Sequence, residues 1–417
     1  MNVLIIASGD YFSTYGGGQI YVKNLVYGLN KKNIEVSVIN CTLNNKKFIE
    51  QNGIKIYNLD CNDLDSIKNL IKKIKPDLIH AHGNKALFTK IAKELKISII
   101  ITMHHGGMIC PNGMLLKKDE IICNEVIDYN KCLDCTLHYL PGGKFFGRLI
   151  KTIPKKEKIS IWFKNKKLLP YVTPPFLAPL IVKNKFQEKE IIKQADKIIA
   201  PSNKVKEVLE KHDFESKKVT IIPHGVKQLK IKEKKDIQKE KIIFGYVGRI
   251  DYVKGLHIAI EAFKKVKNNN WEFHIYGAPA NKKEEKYYKL LLKQTKKLPV
   301  FWKGKVLYAE IENIYRQIDL LIFPSICFEP FGLVVNESLS AEIPVITSKC
   351  GGPEDMIIDG VNGFLVEPNN VGQLADKIEK ILKKREIMAN LNPTVYFTFE
   401  EHMKKIIELY NQVGDKK

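Results

Sequence analysis

Two glutamates stand on either side of a predicted helix start, and seven residues separate them. Glu329 lies on a short loop before this helix, and Glu337 lies just over one turn inside it. Gly332 is predicted to begin the helix, where the backbone N–H groups of Leu333 and Val334 lie in a partly positive field. Helix starts of this kind are favourable sites for phosphate oxygens.

Carboxylates repel phosphate, so we expect the two glutamates to bind neutral hydroxyl groups of the same ligand. A ligand with an anionic centre and hydroxyls on both sides is a nucleotide sugar. The alternative is that both glutamates solvate an ordinary strand–helix turn, because a single motif is a hypothesis with a real false-positive rate.

A second loop supplies the cations that such a ligand needs. Gly248, Arg249 and Lys254 follow the predicted strand 242–247, and the glycine lets the backbone approach a ligand. Arginine can bind phosphate through two donors, and lysine adds a point charge. Both charges would stabilise a diphosphate leaving group as its bond breaks. Two cations are ordinary in a chain with 68 Lys and Arg, but these lie at the carboxyl end of a strand.

The amino-terminal part adds a glycine loop and a histidine. Gly17 and Gly18 lie between a predicted strand at 3–7 and a helix, an arrangement that can hold phosphate or that simply connects two elements. His104 follows the apolar residues of the predicted strand 97–103. A neutral imidazole there can bind a sugar hydroxyl, although a lone histidine is more often structural.

These residues lie on strands and helices that alternate in two blocks. Such alternation predicts two doubly wound parallel sheets, with a cleft that faces the carboxyl ends of the strands. We predict a first domain at 1–229, a charged linker at 230–241, a second domain at 242–397 and a final helix within 398–417. The alternation stops at about 104–185, which we interpret as an insertion in the first domain.

The chain has 417 residues and an ordinary globular composition, but 68 Lys and Arg against 46 Asp and Glu give it a net charge of +22. This excess favours nucleic acid or an anionic membrane as a partner, or reflects a lysine-rich proteome. The absence of a zinc finger, an RRM signature or a basic helix beside heptads argues against nucleic acid. Without a signal peptide or an apolar run of ~20 residues, we expect a cytoplasmic protein whose membrane contact is peripheral.

In combination, these motifs resemble the retaining glycosyltransferases of family four, the glycosyl transferases group 1, which have the GT-B fold of two Rossmann-like domains. The matching residues are Gly17/Gly18, His104, Arg249/Lys254, Glu329/Glu337 and Gly351/Gly352/Glu354. The final helix resembles the family's last helix, which crosses back onto the first domain. One departure is His224, where the family usually carries Asn in a Pro-Asn-Gly-Val segment.

The resemblance implies transfer of a sugar from a nucleoside-diphosphate sugar to a hydroxyl, with retention and without a catalytic metal, since the Arg–Lys pair takes the metal's electrostatic role. The implied roles are diphosphate binding by Arg249 and Lys254, ribose binding by Glu337, sugar contact by Glu329 and His104, and phosphate or acceptor contact by Gly17 and Gly18. The alternatives are a nucleotide-sugar epimerase of the same fold and a non-catalytic module that binds sugar nucleotides or membranes.

Four cysteines fall within the insertion, namely Cys110, Cys123, Cys132 and Cys135. In a cytoplasmic protein such a group is more typical of a metal site than of disulfides. We predict structural zinc, or an iron–sulfur cluster as second choice. Free thiols are the alternative, because the first pair has irregular spacing. The remaining cysteines, Cys41, Cys61, Cys327 and Cys350, are predicted to be buried apolar fillers.

The rest of the insertion mixes basic and aromatic residues at 144–151, 159–164 and 166–171, with Phe145, Phe146 and Trp162 among them. This mixture suits the boundary between lipid headgroups and acyl chains. We predict that the region rests on the anionic inner membrane surface and brings a lipid-linked acceptor to the cleft. The alternative is that its aromatic residues pack into the first domain.

Overall fold

The first half of the chain forms a sheet of eight strands. The computed structural model describes residues 1–7, 11, 16–41, 48–164, 173–229 and 240–414. The strands of this sheet are β1 (Asn2–Ile6), β2 (Glu35–Cys41), β3 (Phe48–Gln51), β4 (Ile54–Leu59), β5 (Leu78–Ala81), β6 (Ser98–Thr102), β7 (Lys197–Ala200) and β8 (Val219–Ile221).

This sheet has the order β3-β4-β2-β1-β5-β6-β7-β8 and is parallel except for β3, which pairs antiparallel with β4 at one edge. The central strands are apolar and fully buried, as in the run Val3–Ile6, because helices cover both faces of a parallel sheet. The sequence did not predict β3, whose residues are mostly exposed.

Eight helices accompany the first sheet in the described residues: α1 (Gly17–Lys31), α2 (Leu64–Ile74), α3 (Lys85–Leu95), α4 (Tyr129–Tyr139), α5 (Gly143–Thr152), α6 (Lys156–Lys164), α7 (Thr173–Ile192) and α8 (Asn203–Lys211). The described part of the insertion carries the helices α4 to α7 and has its own small core of Leu133, Leu137, Ile150, Ala178 and Val182. The predicted end of the insertion at about 185 does not coincide with an element boundary, since α7 begins at Thr173 and continues to Ile192.

The second half forms a parallel sheet of six strands. They are β9 (Ile242–Val247), β10 (Trp271–Tyr276), β11 (Val300–Gly304), β12 (Leu320–Phe323), β13 (Val345–Ser348) and β14 (Gly363–Val366), in the order β11-β10-β9-β12-β13-β14. The helices are α9 (Leu256–Lys265), α10 (Lys282–Thr295), α11 (Ile311–Gln317), α12 (Leu333–Ser340), α13 (Pro353–Met356), α14 (Val371–Lys383), α15 (Glu386–Ala389) and α16 (Phe399–Gly414). The predicted fold class is confirmed.

The last helix, α16, lies against the first sheet. Its residues Met403 and Tyr410 share a buried apolar cluster with residues of α1, β1 and β2. The Tyr410 hydroxyl lies 2.6 Å from Nδ1 of His80 on β5. A Cβ on Gly28 of α1 would lie 2.8 Å from the sulfur of Met403, so this glycine permits close packing of the two helices.

Two of the four cysteines outside the insertion are bonded to each other. Cys41 and Cys61 are not buried fillers, because they form a disulfide between the end of β2 and the segment after β4. Cys327 and Cys350 are buried free thiols, as predicted. The segment 166–171 and nearly all of the predicted linker lie outside the described residues. No helix in the described part of the chain has the length and apolar character needed to span a bilayer.

Candidate active site

The second sheet has a topological switch point between β9 and β12, from which the strand order runs in opposite directions. In open α/β sheets, ligands bind at such a point, outside the carboxyl ends of the strands. The loop after β9 carries Gly248, Arg249 and Lys254, and the loop after β12 carries Glu329. The fold thereby brings together two predicted groups that are 75 residues apart in the chain.

Lys254 and Glu329 form an ion pair at this edge of the sheet. Nζ of Lys254 lies 2.5 Å from Oε1 of Glu329, and the Ser325 hydroxyl donates to the same oxygen at 2.7 Å. The two charged side chains are only 27% and 11% exposed. Burial by itself lowers the pKa of Lys254, but the adjacent Glu329 carboxylate outweighs burial, and the pKa is raised. Lys254 is therefore a fixed cation.

The predicted turn at Gly351 and Gly352 fixes the backbone of Glu329. The N–H of Glu329 donates to the carbonyl that precedes Gly351, and its carbonyl accepts from the N–H of Gly352, both at 2.7 Å. A Cβ on Gly352 would lie 2.5 Å from the Cα of Phe331, so only glycine fits here. Glu354 accepts from the N–H of Gly351 at 2.9 Å. This motif thus positions Glu329.

The start of α12 faces the first domain. Gly332 precedes the helix with φ 86°, a left-handed conformation that glycine adopts without strain. Because glycine has no side chain to cap the helix, the N–H groups of Leu333 and Val334 are available to an anion. A Cβ on Gly17, the first residue of α1, would lie 3.1 Å from Cδ1 of Leu333. Gly18 follows in α1, so the two helix starts meet across the cleft.

Arg249 is half exposed and is held by two carboxylates. Its guanidinium pairs with Asp251, and its Nε lies 3.6 Å from Oε1 of Glu284 on α10. Glu284 is buried and also accepts from the backbone N–H of Ala280 at 2.7 Å. Gly248 lies beside Arg249, and its N–H donates to a carbonyl of β10. These contacts fix the position of the guanidinium relative to the loop, which also carries Lys254.

Glu337 is buried where α12 faces α1. The Tyr315 hydroxyl lies 3.4 Å from its Oε2, and a narrow cavity beside it is lined by Ile20 and Asn24 of α1 and by Tyr308 of the second domain. Burial raises the pKa of Glu337 to about 7. This carboxyl therefore titrates near neutral pH, and a ligand hydroxyl that donates to it would favour its ionised form.

His104 lies in a cluster of histidines on the first-domain side of the cleft. Its Nε2 lies 2.8 Å from Nδ1 of His82, and its ring centre lies 5.0 Å from that of Tyr21. Burial lowers the pKa of both histidines well below the ordinary value, so both are neutral. Among the described residues, no hydrogen bond joins His104 to the Lys254–Glu329 pair. Its neighbour His105 is exposed and accepts from the N–H of Gly107.

His224 connects this histidine cluster to the loop that carries Glu329. Its ring centre lies 4.1 Å from that of Tyr21 and 5.3 Å from that of Phe331. His402 of α16 also contacts Tyr21: its Nδ1 lies 2.7 Å from the Pro223 carbonyl and its Nε2 lies 3.1 Å from the Tyr21 hydroxyl. A carbonyl only accepts, so Nδ1 carries the proton and Nε2 accepts from Tyr21.

The four cysteines of the insertion are free thiols. In the part of the chain that the structure describes, no three His, Cys, Asp or Glu side chains are placed to hold a metal. The thiol of Cys110 donates to Oδ1 of Asn112 at 2.7 Å, and burial raises the pKa of Cys132 to about 12. A thiolate metal centre would require these thiols to lose their protons when the metal binds. The metal site at Cys110, Cys123, Cys132 and Cys135 therefore stays a prediction.

Elemental analysis of purified protein tests that prediction. A structural site would give about one zinc per chain, or iron with visible absorbance. A protein that is stable and free of both metals would end it.

Several residues of the site were missed in the sequence. Ser325, Glu284 and Tyr315 each bind a predicted residue, and His82 and His402 complete the histidine cluster. Ser325 had a usable signal, because it lies two residues after the end of β12 and four residues before Glu329. The others had none, since their contacts depend on which helices cover which sheet edge.

Two models of glycosyltransferase domains match the chain. The model described as glycosyl transferases group 1 matches residues 227–396, and the model described as glycosyltransferase family 4 matches residues 15–122 and 154–228. Together they cover every strand of both sheets except β1. The stretch 123–153, which holds three of the insertion cysteines, lies between the two matched parts of the first domain.

Curated relatives agree with these matches. The lipopolysaccharide 1,2-N-acetylglucosaminetransferase of Salmonella typhimurium is 26% identical over 329 residues, which is 66% of this chain and 86% of the relative. The capsular polysaccharide biosynthesis glycosyltransferase CapM of Staphylococcus aureus is 31% identical over 155 residues, 36% of this chain and 38% of the relative.

Solved structures share the fold over the full chain. HepE of Anabaena, solved in complex with UDP and glucose, has a TM-score of 0.65 and 18% identity, and the alignment covers 98% of this chain and 99% of that one. Sucrose-phosphate synthase of Thermosynechococcus elongatus has a TM-score of 0.68 and 18% identity, with 100% of both chains covered. With matches to both domains and this shared architecture, the chain belongs to the GT-B glycosyltransferases.

Proposed function

We propose that this enzyme is a retaining glycosyltransferase that moves a sugar from a nucleoside-diphosphate sugar to a hydroxyl acceptor. The observation that carries the proposal is the Lys254–Glu329 pair, which lies at the switch point of the second sheet. The loop of Glu329 leads directly into α12, whose start can bind an anion. Cation, carboxylate and helix start are the three parts that a diphosphate-linked sugar requires.

Each part has a role in transfer. The diphosphate binds at the start of α12 and beside Arg249 and Lys254, which stabilise the negative charge that grows as the sugar–phosphate bond breaks. The ribose hydroxyls donate to Glu337. Glu329 faces the sugar, and its Oε1 already accepts from Lys254 and Ser325. These contacts favour a role for Glu329 in positioning the sugar over a role as covalent nucleophile. Without a covalent intermediate, retention requires the diphosphate to leave and the acceptor hydroxyl to attack on the same face of the sugar.

The names of relatives support a place in cell-surface polysaccharide or glycolipid assembly. One is a lipopolysaccharide N-acetylglucosaminetransferase and another a capsular polysaccharide biosynthesis glycosyltransferase. HepE, which shares the fold, was solved with UDP and glucose, which supports a sugar nucleotide as the donor class. Neither relative fixes the sugar, the nucleotide or the acceptor of this enzyme.

A panel of sugar nucleotides tests the proposal. Purified protein is first screened for thermal stabilisation by each donor, because a ligand that binds the folded state raises its stability. The stabilising donors are then incubated with and without a panel of alkyl and oligosaccharide alcohols. Release of nucleoside diphosphate that depends on an added alcohol supports transfer. Isomerised donor without release would favour the epimerase, and binding without either product would favour the non-catalytic module.

Nucleotide binding is expected to strengthen as the pH rises through about 7. The ribose hydroxyls need an ionised Glu337, whose pKa in the free protein is about 7, so the carboxyl must lose its proton when the ligand binds. Between pH 6 and pH 8 the affinity for a nucleoside diphosphate should rise about tenfold, as the ionised fraction does. Titration calorimetry measures it, and Glu337→Gln separates this effect from titration of the phosphate. Equal pH dependence in both proteins would contradict the role of Glu337.

We also propose that the insertion docks on an anionic membrane and that the acceptor is lipid-linked. Phe145 on α5 is 84% exposed and Trp162 on α6 is 51% exposed. Lys144 directly precedes Phe145 on α5, and Lys158 lies four residues before Trp162 on α6. In contrast, Phe146 lies half-buried 5.7 Å from a neighbouring aromatic ring. The exposed aromatic residues can enter the headgroup region while each lysine adds about 1 kcal/mol of attraction.

Liposome co-sedimentation tests this membrane contact. The wild type should pellet with vesicles that contain phosphatidylglycerol, not with phosphatidylcholine alone, and salt should release it. The double variant Phe145→Ser, Trp162→Ser should lose most of this binding. Leu290→Ser, which changes an exposed apolar residue of α10, should bind as the wild type does. Equal recovery in the supernatant with and without anionic lipid would point to a soluble acceptor.

A further inference from the structure

A loop of the first domain reaches across the cleft to the second domain. It spans residues 114–122 and is called here the cleft hairpin. Leu116 and Ile122 form an antiparallel bridge, and the N–H of Lys117 donates to the Ile121 carbonyl at 2.9 Å. Glu120 lies at the tip, where its N–H donates to the carbonyl of Lys117 at 3.0 Å.

The base of the cleft hairpin holds the loop that carries Glu329. The N–H of Phe328 donates to the carbonyl of Met114 at 3.3 Å. The Phe328 side chain is 7% exposed and belongs to the apolar core of the first domain, together with Met108 and Leu115. The residue directly before Glu329 is therefore buried in the opposite domain.

The tip of the cleft hairpin holds the loop that carries Lys254. The Tyr252 hydroxyl donates to Oε1 of Glu120 at 2.8 Å, and the Asn369 amide lies 3.4 Å from Oε2 of Glu120. Tyr252 stacks on the ring of His257 at 4.4 Å, so its hydroxyl has a defined position. It lies two residues before Lys254 in the same loop.

We propose that the cleft hairpin is a positioning element for the Lys254–Glu329 pair, and that Glu120 is the residue that latches it. This inference rests on the proposed function. The donor must enter between the domains, so a contact across the cleft has to form and break. A hydrogen bond at the partly exposed tip can do both, because such a bond has a small net free energy. When the Glu120–Tyr252 bond is formed, the first domain fixes both the loop of Lys254 and the loop of Glu329. Closure of the cleft thereby sets the geometry of the Lys254–Glu329 pair.

The test compares Glu120→Ala, Glu120→Gln, Tyr252→Phe and the double variant Glu120→Ala, Tyr252→Phe. Asp119→Ala is the matched control, since it removes the exposed carboxylate next to Glu120. For each protein, kcat of transfer and the dissociation constant of free nucleoside diphosphate are measured. The latter reports on diphosphate binding by Arg249 and the start of α12, for which we propose no contact with Glu120 or Tyr252.

Glu120→Ala and Tyr252→Phe should each lower kcat by about fivefold to tenfold, the loss of one hydrogen bond to a charged group. The double variant should be no slower than Glu120→Ala, because the bond that Tyr252→Phe removes is already lost in Glu120→Ala. Glu120→Gln should recover most of the loss, since its amide oxygen still accepts from Tyr252. Nucleotide affinity should change by less than about twofold in every variant.

Three results would overturn the role of the cleft hairpin. The first is that the wild type is active and that Glu120→Ala has the same kcat as Asp119→Ala. The second is a double variant whose loss is the product of the two single losses. The third is an equal fall in nucleotide affinity and kcat, which would place Glu120 in donor binding. A wild type that transfers nothing to any alcohol would instead refute the proposed function.

Discussion

Lys254→Met is expected to lower the turnover of sugar transfer about 100- to 1000-fold, which corresponds to roughly 3–4 kcal/mol in the activation free energy. Lys254 is the fixed cation beside the expected position of the diphosphate, and its loss also leaves the Glu329 carboxylate without its ion partner. Methionine keeps the length of the side chain, so the change removes charge with little change in packing. Turnover is measured as alcohol-dependent release of nucleoside diphosphate.

Lys264→Met is the control for this prediction. Lys264 lies on α9 in the same domain, where it forms an exposed ion pair with Glu261, and such pairs contribute little. Its substitution should leave turnover unchanged. Turnover of Lys254→Met within twofold of the wild type would remove Lys254 from the catalytic site.

Acid is expected to destabilise the protein steeply below pH 6.5, because five histidines are held neutral. Burial lowers the pKa of His80 to about 3 and that of His402 to about 4, and it lowers those of His82, His104 and His224 well below the ordinary value. Between pH 6.5 and about pH 4 the unfolded chain therefore binds protons that the folded chain does not. The free energy of unfolding falls as the pH falls, by up to about 1.4 kcal/mol per pH unit for each histidine.

Glu337 acts in the opposite direction. Because its pKa is about 7 in the folded protein, the folded protein takes up this proton at a higher pH than the unfolded chain does. The contribution of Glu337 to the free energy of unfolding therefore grows as the pH falls from 7 to 4.5. One such group against five histidines leaves a net loss of roughly 5 kcal/mol between pH 7.5 and pH 5.5.

Urea unfolding at these two pH values measures the loss. His402→Gln should reduce it by about one histidine's share, whereas His138→Gln, which changes a residue of the insertion, should not. A urea midpoint that stays constant from pH 7.5 to pH 5.5 would contradict neutral burial of the histidine cluster.

Much of the fold could be predicted because parallel strands covered on both faces are continuous apolar runs. The strand β9 has the predicted bounds 242–247, and β1 and β6 differ from the predicted 3–7 and 97–103 by one residue at each end. Ser202 caps α8, with its hydroxyl accepting from the N–H of Val205. In contrast, β3 is an exposed edge strand and α10 is rich in Lys and Glu, so neither shows an apolar pattern.

The insertion could not be predicted for a different reason. Its helices share only a small core of their own, and α7 contains Pro179 within the helix. Proline usually ends or kinks a helix, which is why the segment 174–182 read as broken. The bonded pair of Cys41 and Cys61 depends on the neighbouring positions of β2 and β4, which spacing along the chain does not give.

The candidate site could also be predicted only in part. Residues at strand ends, such as Arg249 and Glu329, were recognisable because their types and places suit phosphates and hydroxyls. The pairing of Lys254 with Glu329 was not, since it requires β9 and β12 to be neighbours across the switch point. The histidine cluster depends on α16, which puts Tyr410 against His80 across 330 residues of chain.

The central claim is that the β9 loop binds the diphosphate of a sugar nucleotide. Titration of UDP, GDP and ADP into the wild type and Arg249→Ala tests it most directly. We predict that at least one nucleotide binds the wild type, that Arg249→Ala weakens this binding by 2–4 kcal/mol, or about 30- to 1000-fold, and that its melting temperature without nucleotide is unchanged. Equal affinity of the two proteins, or a wild type that binds none of the three nucleotides, would contradict the claim.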